Sequence, residues 1–207
     1  HMNTMTPIYM SPEVILDICH DGYKADVWAC GLTILELATG TPLIRPVIGA
    51  MPGEAGKPDS MPMRSFLLAQ VFLATGFKMD PEAHDPEAIA SMFRREPGQE
   101  LWFESENDLY TANYYAQKIR DVDVKTLSNL ENALETAKKS GLPGRAGPIG
   151  QSIAFLQRTL NDGRLAALLD KIQSEALKSL IRGCLVLDPE HRWDMKAVLS
   201  SPYLATE

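Results

Sequence analysis

Between Asp26 and Thr39 the chain reads DVWACGLTILELAT, and Val27, Trp28, Gly31, Leu32, Ile34, Leu35, Leu37 and Ala38 cover most of a helix's circumference. A helix apolar nearly all round belongs inside a domain. Its charges, Asp26 and Glu36, are therefore expected to have specific partners where they are buried, because an unpaired buried charge is costly. Gly40 follows the last turn as a C-terminal cap does. Upstream, Ser11 is placed to cap a short helix with Pro12 at its first position and Glu13 in its first turn. That helix runs to about Cys19 with Val14, Ile15 and Ile18 on one side, and His20-Asp21-Gly22 breaks it. The two prolines and several hydroxyls of residues 3–12 make a shaped loop.

Downstream the period stays helical. Arg64–Thr75 carries an apolar helical pattern that Gly76 stops, and Pro86–Phe93 is a short helix between turns at Asp80–Pro86 and Glu96–Gln99. Residues 100–140 form two helical pieces. Asn107–Ile119 is rich in tyrosine (Tyr110, Tyr114, Tyr115), and Val124–Lys139 sets Leu127, Leu130 and Leu134 three and four apart. Ser152–Leu160 and Gly163–Ile172 are further helices, and Ser174–Leu187 lines up Leu177, Leu180, Ile181, Cys184 and Leu185 on one face. Asp188-Pro189 ends it, and Asp194 caps a last short helix, Met195–Leu199, before Pro202. Two stretches dense in Gly and Pro, Thr41–Pro62 and Gly141–Gly150, read as loops. No strand is expected after residue 13, and no internal repeat occurs, so the fold class is all-α.

Composition narrows the partners. The chain has 207 residues, 45% hydrophobic and 23% charged, an ordinary globular balance for one domain or one domain with a long insertion. A net charge of −7 argues against nucleic acid and anionic membrane, which reward clustered Lys and Arg. No apolar run reaches the roughly 18 residues of a membrane span. Cys19, Cys30 and Cys184 are odd in number and widely spaced, which fits reduced thiols in an intracellular protein, cytoplasmic or nuclear. Cys30 and Cys184 read as small core residues. His1, His20, His84 and His191 are scattered, so no metal site is expected, and no Ser or Thr finds a His/Asp pair at a telling spacing. His1-Met2 reads as a tag remnant.

The stretch TPIYMSPE, followed by YKADVWACGLTILELATGTPL, resembles the C-terminal lobe of the eukaryotic protein kinase family, serine/threonine type. Thr6-Pro7-Ile8-Tyr9-Met10 resembles the substrate-docking loop after the activation segment. Ser11-Pro12-Glu13 resembles the Ala-Pro-Glu motif with Ser for Ala. Asp26-Val27-Trp28-Ala29-Cys30-Gly31 resembles the Asp-x-Trp-x-x-Gly opening of the lobe's central helix. Leu187-Asp188-Pro189 and Arg192 resemble the late Leu-Asp-Pro-x-x-Arg motif. All four occur in family order. A looser similarity of ELATGTPLI and SFLLAQVFLATG points to the cyclin-dependent and mitogen-activated kinase group. Met5 stands where the family usually has Gly.

The resemblance implies a role for each matched residue. Thr6 would bond the catalytic Asp and Lys of the catalytic loop, and Pro7 to Met10 would form the wall beside the substrate residue after the phosphoacceptor. Glu13 and Arg192 would form a buried ion pair, with Trp28 and Gly31 in the central helix as further structural anchors. Asp26 would hold the catalytic-loop backbone, or only cap its helix if that loop is absent. Residues 1–2 apart, 3–207 are expected to be a partial kinase domain with an atypical helical insertion at about 79–150.

Phosphoryl transfer in the family needs a Gly-rich loop, a strand lysine, a catalytic-loop Asp and the Asp of Asp-Phe-Gly. None of these motifs occurs in the sequence. The chain is thus expected to be a portion that opens inside the activation segment, without catalytic residues or a cofactor of its own. ATP and Mg are expected for the parent enzyme. The implied function is a part of a serine/threonine kinase, inactive alone, that docks protein substrate and meets the missing N-terminal lobe. Self-association, or a protein partner at the insertion, is a further expectation. The rival reading is a pseudokinase or kinase-like interaction module without catalysis.

Overall fold

A computed structural model describes residues 7–15, 21–45, 61–76, 106–141 and 143–205. Thr6, the helix expected at Pro86–Phe93, its flanking turns and most of the expected Thr41–Pro62 loop lie outside the described residues. A single 3-10 turn at Pro7–Tyr9 leads to α1 (Pro12–Ile15) and α2 (Gly22–Thr39). Then follow α3 (Met61–Thr75), α4 (Glu106–Lys139), α5 (Pro143–Asp162), α6 (Arg164–Leu169), α7 (Glu175–Cys184) and α8 (Met195–Leu199). No strand occurs among the described residues, and the fold is all-α. No helix among them is long and apolar enough to cross a membrane.

The central helix departs from its pattern in two ways. It begins at Gly22, a turn before Asp26, because Asp21 caps it: the Asp21 carboxylate accepts from the Tyr23 N–H at 2.9 Å. Asp21-Gly22 is thus a start signal as well as a break. Asp26, expected at the helix start, sits in the second turn and is not the cap. Nor is the helix buried all round. Trp28, Val27, Leu32 and Leu35 are fully enclosed, but Tyr23, Asp26, Thr33 and Leu37 are exposed, Leu37 at 81%. Periodicity counts a leucine as inward wherever it stands; here α7, α8 and the 3-10 turn cover only part of the circumference. Gly40 closes the helix at φ 65, where its N–H donates to the Glu36 carbonyl at 2.7 Å.

The second half differs more. Residues 106–139 form one helix of 34 residues, not two pieces. Its inward seam runs Ala112, Ala116, Ile119, Asp123, Leu127, Leu130, Leu134, Ala137, spaced three and four throughout. The polar stretch around residues 120–123 looks like a break, but Asp123 is buried in that seam and held by Arg45 through two bonds of 2.8 and 2.9 Å. The expected loop at Gly141–Gly150 is also helical from Pro143 onward, with Pro148 inside the helix. Pro at the first helical position is favourable. An interior Pro is costly, and packing of the Ile153 and Leu156 face against α4 offsets it. Further on, Asp194 caps α8 as the sequence predicts, while Ser174, read as the first residue of a helix to Leu187, is the cap of α7, which ends at Cys184.

α1, α2, α3, α6, the start of α4 (Ala112, Ala116) and Ile181 of α7 share one hydrophobic core, and α2, α7 and α8 share a second around Val27, Leu180, Cys184 and Val198. Cys184 is fully enclosed there, and burial pushes its thiol up to about 12. The sign follows from linkage. In the unfolded chain the thiol ionises near 9.0, so this group's contribution to stability is complete below that pH and is lost as pH rises toward about 12. Cys184 is expected to resist iodoacetamide at pH 8 until the chain is unfolded in urea. Peptide mapping that found it alkylated in the native chain would contradict this burial.

Candidate functional site

Residues 7–13 and the stretch Leu187–Arg192 meet at one place. Pro7–Tyr9 turns once, and the Met10 N–H donates back to the Pro7 carbonyl at 3.2 Å. Met10 is buried, while Pro7, Ile8 and Tyr9 are half-buried. The Tyr9 hydroxyl donates to the Glu36 carboxylate on α2 at 2.7 Å. That bond, with some burial, holds the Tyr9 phenol above its ordinary pKa, since ionising it would set two anions side by side. The Ser11 carbonyl accepts from Val14 and Ile15 and starts α1. The Ser11 hydroxyl, expected to cap, is instead buried with no hydrogen-bond partner among the described residues.

Glu13 on α1 points inward at 2% exposure, an extreme position for a carboxylate. Its partner is Arg192, 179 positions away: Nη1 donates to Oε1 at 2.5 Å and Nη2 to Oε2 at 3.0 Å. The other three guanidinium donors reach the carbonyls of Val186 (2.9 Å), Lys24 (2.9 Å) and Leu187 (3.1 Å). All five N–H groups of Arg192 are therefore satisfied, which is what a fully buried guanidinium requires. Lys24 returns the contact, its Nζ donating to the Arg192 carbonyl. The Arg192 guanidinium also lies over the Trp28 ring, 5.0 Å from its centroid. One residue thus joins α1, the first two turns of α2 and the loop after α7.

That loop is itself shaped by Asp188. Its carboxylate accepts from the Glu190 N–H at 2.9 Å and pairs with the His191 ring at 2.8 Å, and its carbonyl accepts from the Arg192 N–H at 3.0 Å. Gly31 allows the central helix to approach α7: a Cβ there would stand 2.5 Å from the Cys184 Cβ. Asp26, by contrast, is exposed and makes no hydrogen bond among the described residues. One member of this site escapes a sequence reading: Lys24, whose partner lies 168 positions away and which does not stand out from other helix charges. Glu36, expected to have a specific partner where buried, is half-buried and has one in Tyr9. No group of three or more His, Cys, Asp or Glu side chains that could hold a metal occurs among the described residues.

A family model described as the protein kinase domain matches residues 1–204. Among curated proteins, the chain is 57% identical over 37 residues to the serine/threonine-protein kinase pakF of Dictyostelium discoideum, covering 18% of this chain and 3% of that protein. It is 48% identical over 40 residues to CBL-interacting serine/threonine-protein kinase 15 of Arabidopsis thaliana, covering 19% and 10%. It is 51% identical over 37 residues to mitogen-activated protein kinase kinase kinase 3 of the same plant, covering 18% and 6%. These matches thus span a tenth or less of the relatives' lengths. No solved structure matches the chain.

Proposed function

The chain belongs to the protein kinase domain family, and from that premise we propose that it is the substrate-docking and anchoring part of a serine/threonine kinase. The observation that carries this reading is the five-bonded Arg192 with its buried Glu13, because it fixes the segment carrying Pro7 to Met10 to the central helix. Pro7, Ile8, Tyr9 and Met10 then form the wall beside the residue that follows the phosphoacceptor, and Thr6 contacts the catalytic loop. Tyr9, held by Glu36, sets that wall's position. Asp26, Thr33 and Leu37 form the exposed stripe of α2 on which the catalytic-loop portion rests. α4 and the first eight residues of α5 fall in the insertion, about 79–150, that distinguishes this lobe.

The residues described do not fit ATP and magnesium, which need converging carboxylates and a phosphate-cradling backbone. In this reading nucleotide and metal are held by the parent enzyme's other lobe, and no chemical step is assigned to this chain. The purified 207-residue chain is expected to show no magnesium-dependent ATP binding by calorimetry; micromolar binding would refute the assignment. Joined to its nucleotide-binding lobe, it should phosphorylate Ser/Thr peptides, and Ile8→Ala should change selectivity at the position after the phosphoacceptor. Selectivity that stays unchanged would remove the docking role. Binding of peptide with no transfer would favour the interaction-module reading.

A further inference from the structure

A cavity of about 770 Å³ lies between α3, α4 and the turn from α5 into α6, well away from the Glu13–Arg192 pair. Its volume is that of a small-molecule site. Its charge is the reverse of the chain's. Arg45, Arg120 and Arg164 line it, and Asp123 is the one acid lining it among the described residues. Asp123 is already committed to Arg45 through the bidentate pair, and Gln70 clamps the Arg45 backbone from the other side, accepting its N–H at 2.9 Å. Three guanidinium groups thus face one carboxylate across the cavity, and neither Arg120 nor Arg164 has an ion pair of its own among the described residues, in a protein of net charge −7.

Arg164 is the more telling of the two. It is half-buried and stacked over the Phe155 ring at 5.6 Å, which fixes its plane. Only its Nε–H has an acceptor among the described residues, the Pro42 carbonyl at 3.2 Å. Its four terminal N–H groups are left for something else. Asp162, two positions before it, is taken by Arg158, as is Asp170 at 2.8 Å. Burial and the neighbouring Arg45 charge lower the Arg164 pKa, and the Asp123 carboxylate only partly offsets them. Arg120 is exposed at the rim and makes no ion pair among the described residues. Beyond the guanidinium groups the wall turns apolar, with Leu73, Ile119 and Leu160.

We propose that this cavity binds a small phosphomonoester with an apolar body. The dianion matches the charges of Arg120 and Arg164, and planar guanidinium groups suit bidentate phosphate contacts. Leu73, Ile119 and Leu160 receive the organic portion. The site is independent of the kinase reading, since it uses none of the residues of the anchor or the docking loop.

Phenyl phosphate serves as the probe, titrated calorimetrically into the full chain at constant ionic strength. Saturable 1:1 binding near ~0.1 mM is expected, about tenfold weaker for inorganic phosphate, and none for phenol. Arg120→Gln and Arg164→Met should each weaken binding about tenfold. Lys196→Gln, on α8 and outside the cavity, should leave it unchanged. Arg120 is exposed, so its variant tests the site even if Arg164→Met folds poorly. No saturation at about 10 mM phenyl phosphate, or equal affinity in the chain and the Arg120→Gln variant, would overturn the site. Inorganic phosphate binding as tightly as phenyl phosphate would overturn the apolar half of the proposal.

Discussion

Arg192→Ala should lower the melting temperature of the chain by about 10 °C, from a loss of about 3–5 kcal/mol in a domain of this size. The loss has two parts. The Glu13 carboxylate is left buried without a counter-charge, and the carbonyls of Val186, Lys24 and Leu187 each lose a donor. Arg192→Lys should recover little, because an ammonium cannot reach both carboxylate oxygens and three carbonyls in one plane. The double variant Glu13→Leu with Arg192→Met is expected to be more stable than Arg192→Ala alone, since it removes the desolvated charge along with its partner. Calorimetric melting of the three variants decides it. A midpoint for Arg192→Ala within about 1 °C of the unchanged chain would mean that Glu13 is solvated.

This pair was legible in the sequence only through family resemblance. Nothing in local pattern links a glutamate at 13 to an arginine at 192, and each alone reads as a surface charge. What local pattern does disclose is chemistry confined to one turn. Asp194 and Gly40 announce their helix ends because the groups they satisfy lie within four residues. The misreadings share the opposite cause. The stretch at 120–123 looks like a gap in an amphipathic pattern because Asp123 is polar. Its burial is made tolerable by Arg45, 78 positions upstream, and a window of one or two helical turns cannot contain that partner. Pro143–Gly150 reads as a loop for the same reason: its helix is held by the seam of α4, not by its own propensities. The Arg-lined cavity is hidden likewise, since Arg45, Arg120 and Arg164 come from three separate segments.

Trp28→Ala should cost about 3–5 kcal/mol, as large as the loss of Arg192, and for a different reason. Trp28 has no exposure and is among the largest enclosed side chains of the chain. Its indole N–H finds no acceptor among the described residues, so the loss is one of packing and not of a hydrogen bond. Trp28→Phe should therefore be much milder than Trp28→Ala, because it keeps most of the ring and removes an unsatisfied donor. The two large effects should not add. The Arg192 guanidinium lies 5.0 Å from the ring centroid, so removing the indole also removes the surface against which the guanidinium is held. A double-mutant cycle measured by urea unfolding is expected to show Trp28→Ala with Arg192→Ala destabilising by about 1–2 kcal/mol less than the sum of the single changes. Strict additivity would mean that the indole does not hold the guanidinium, and Arg192 would then be joined to the central helix through its two bonds with Lys24 alone.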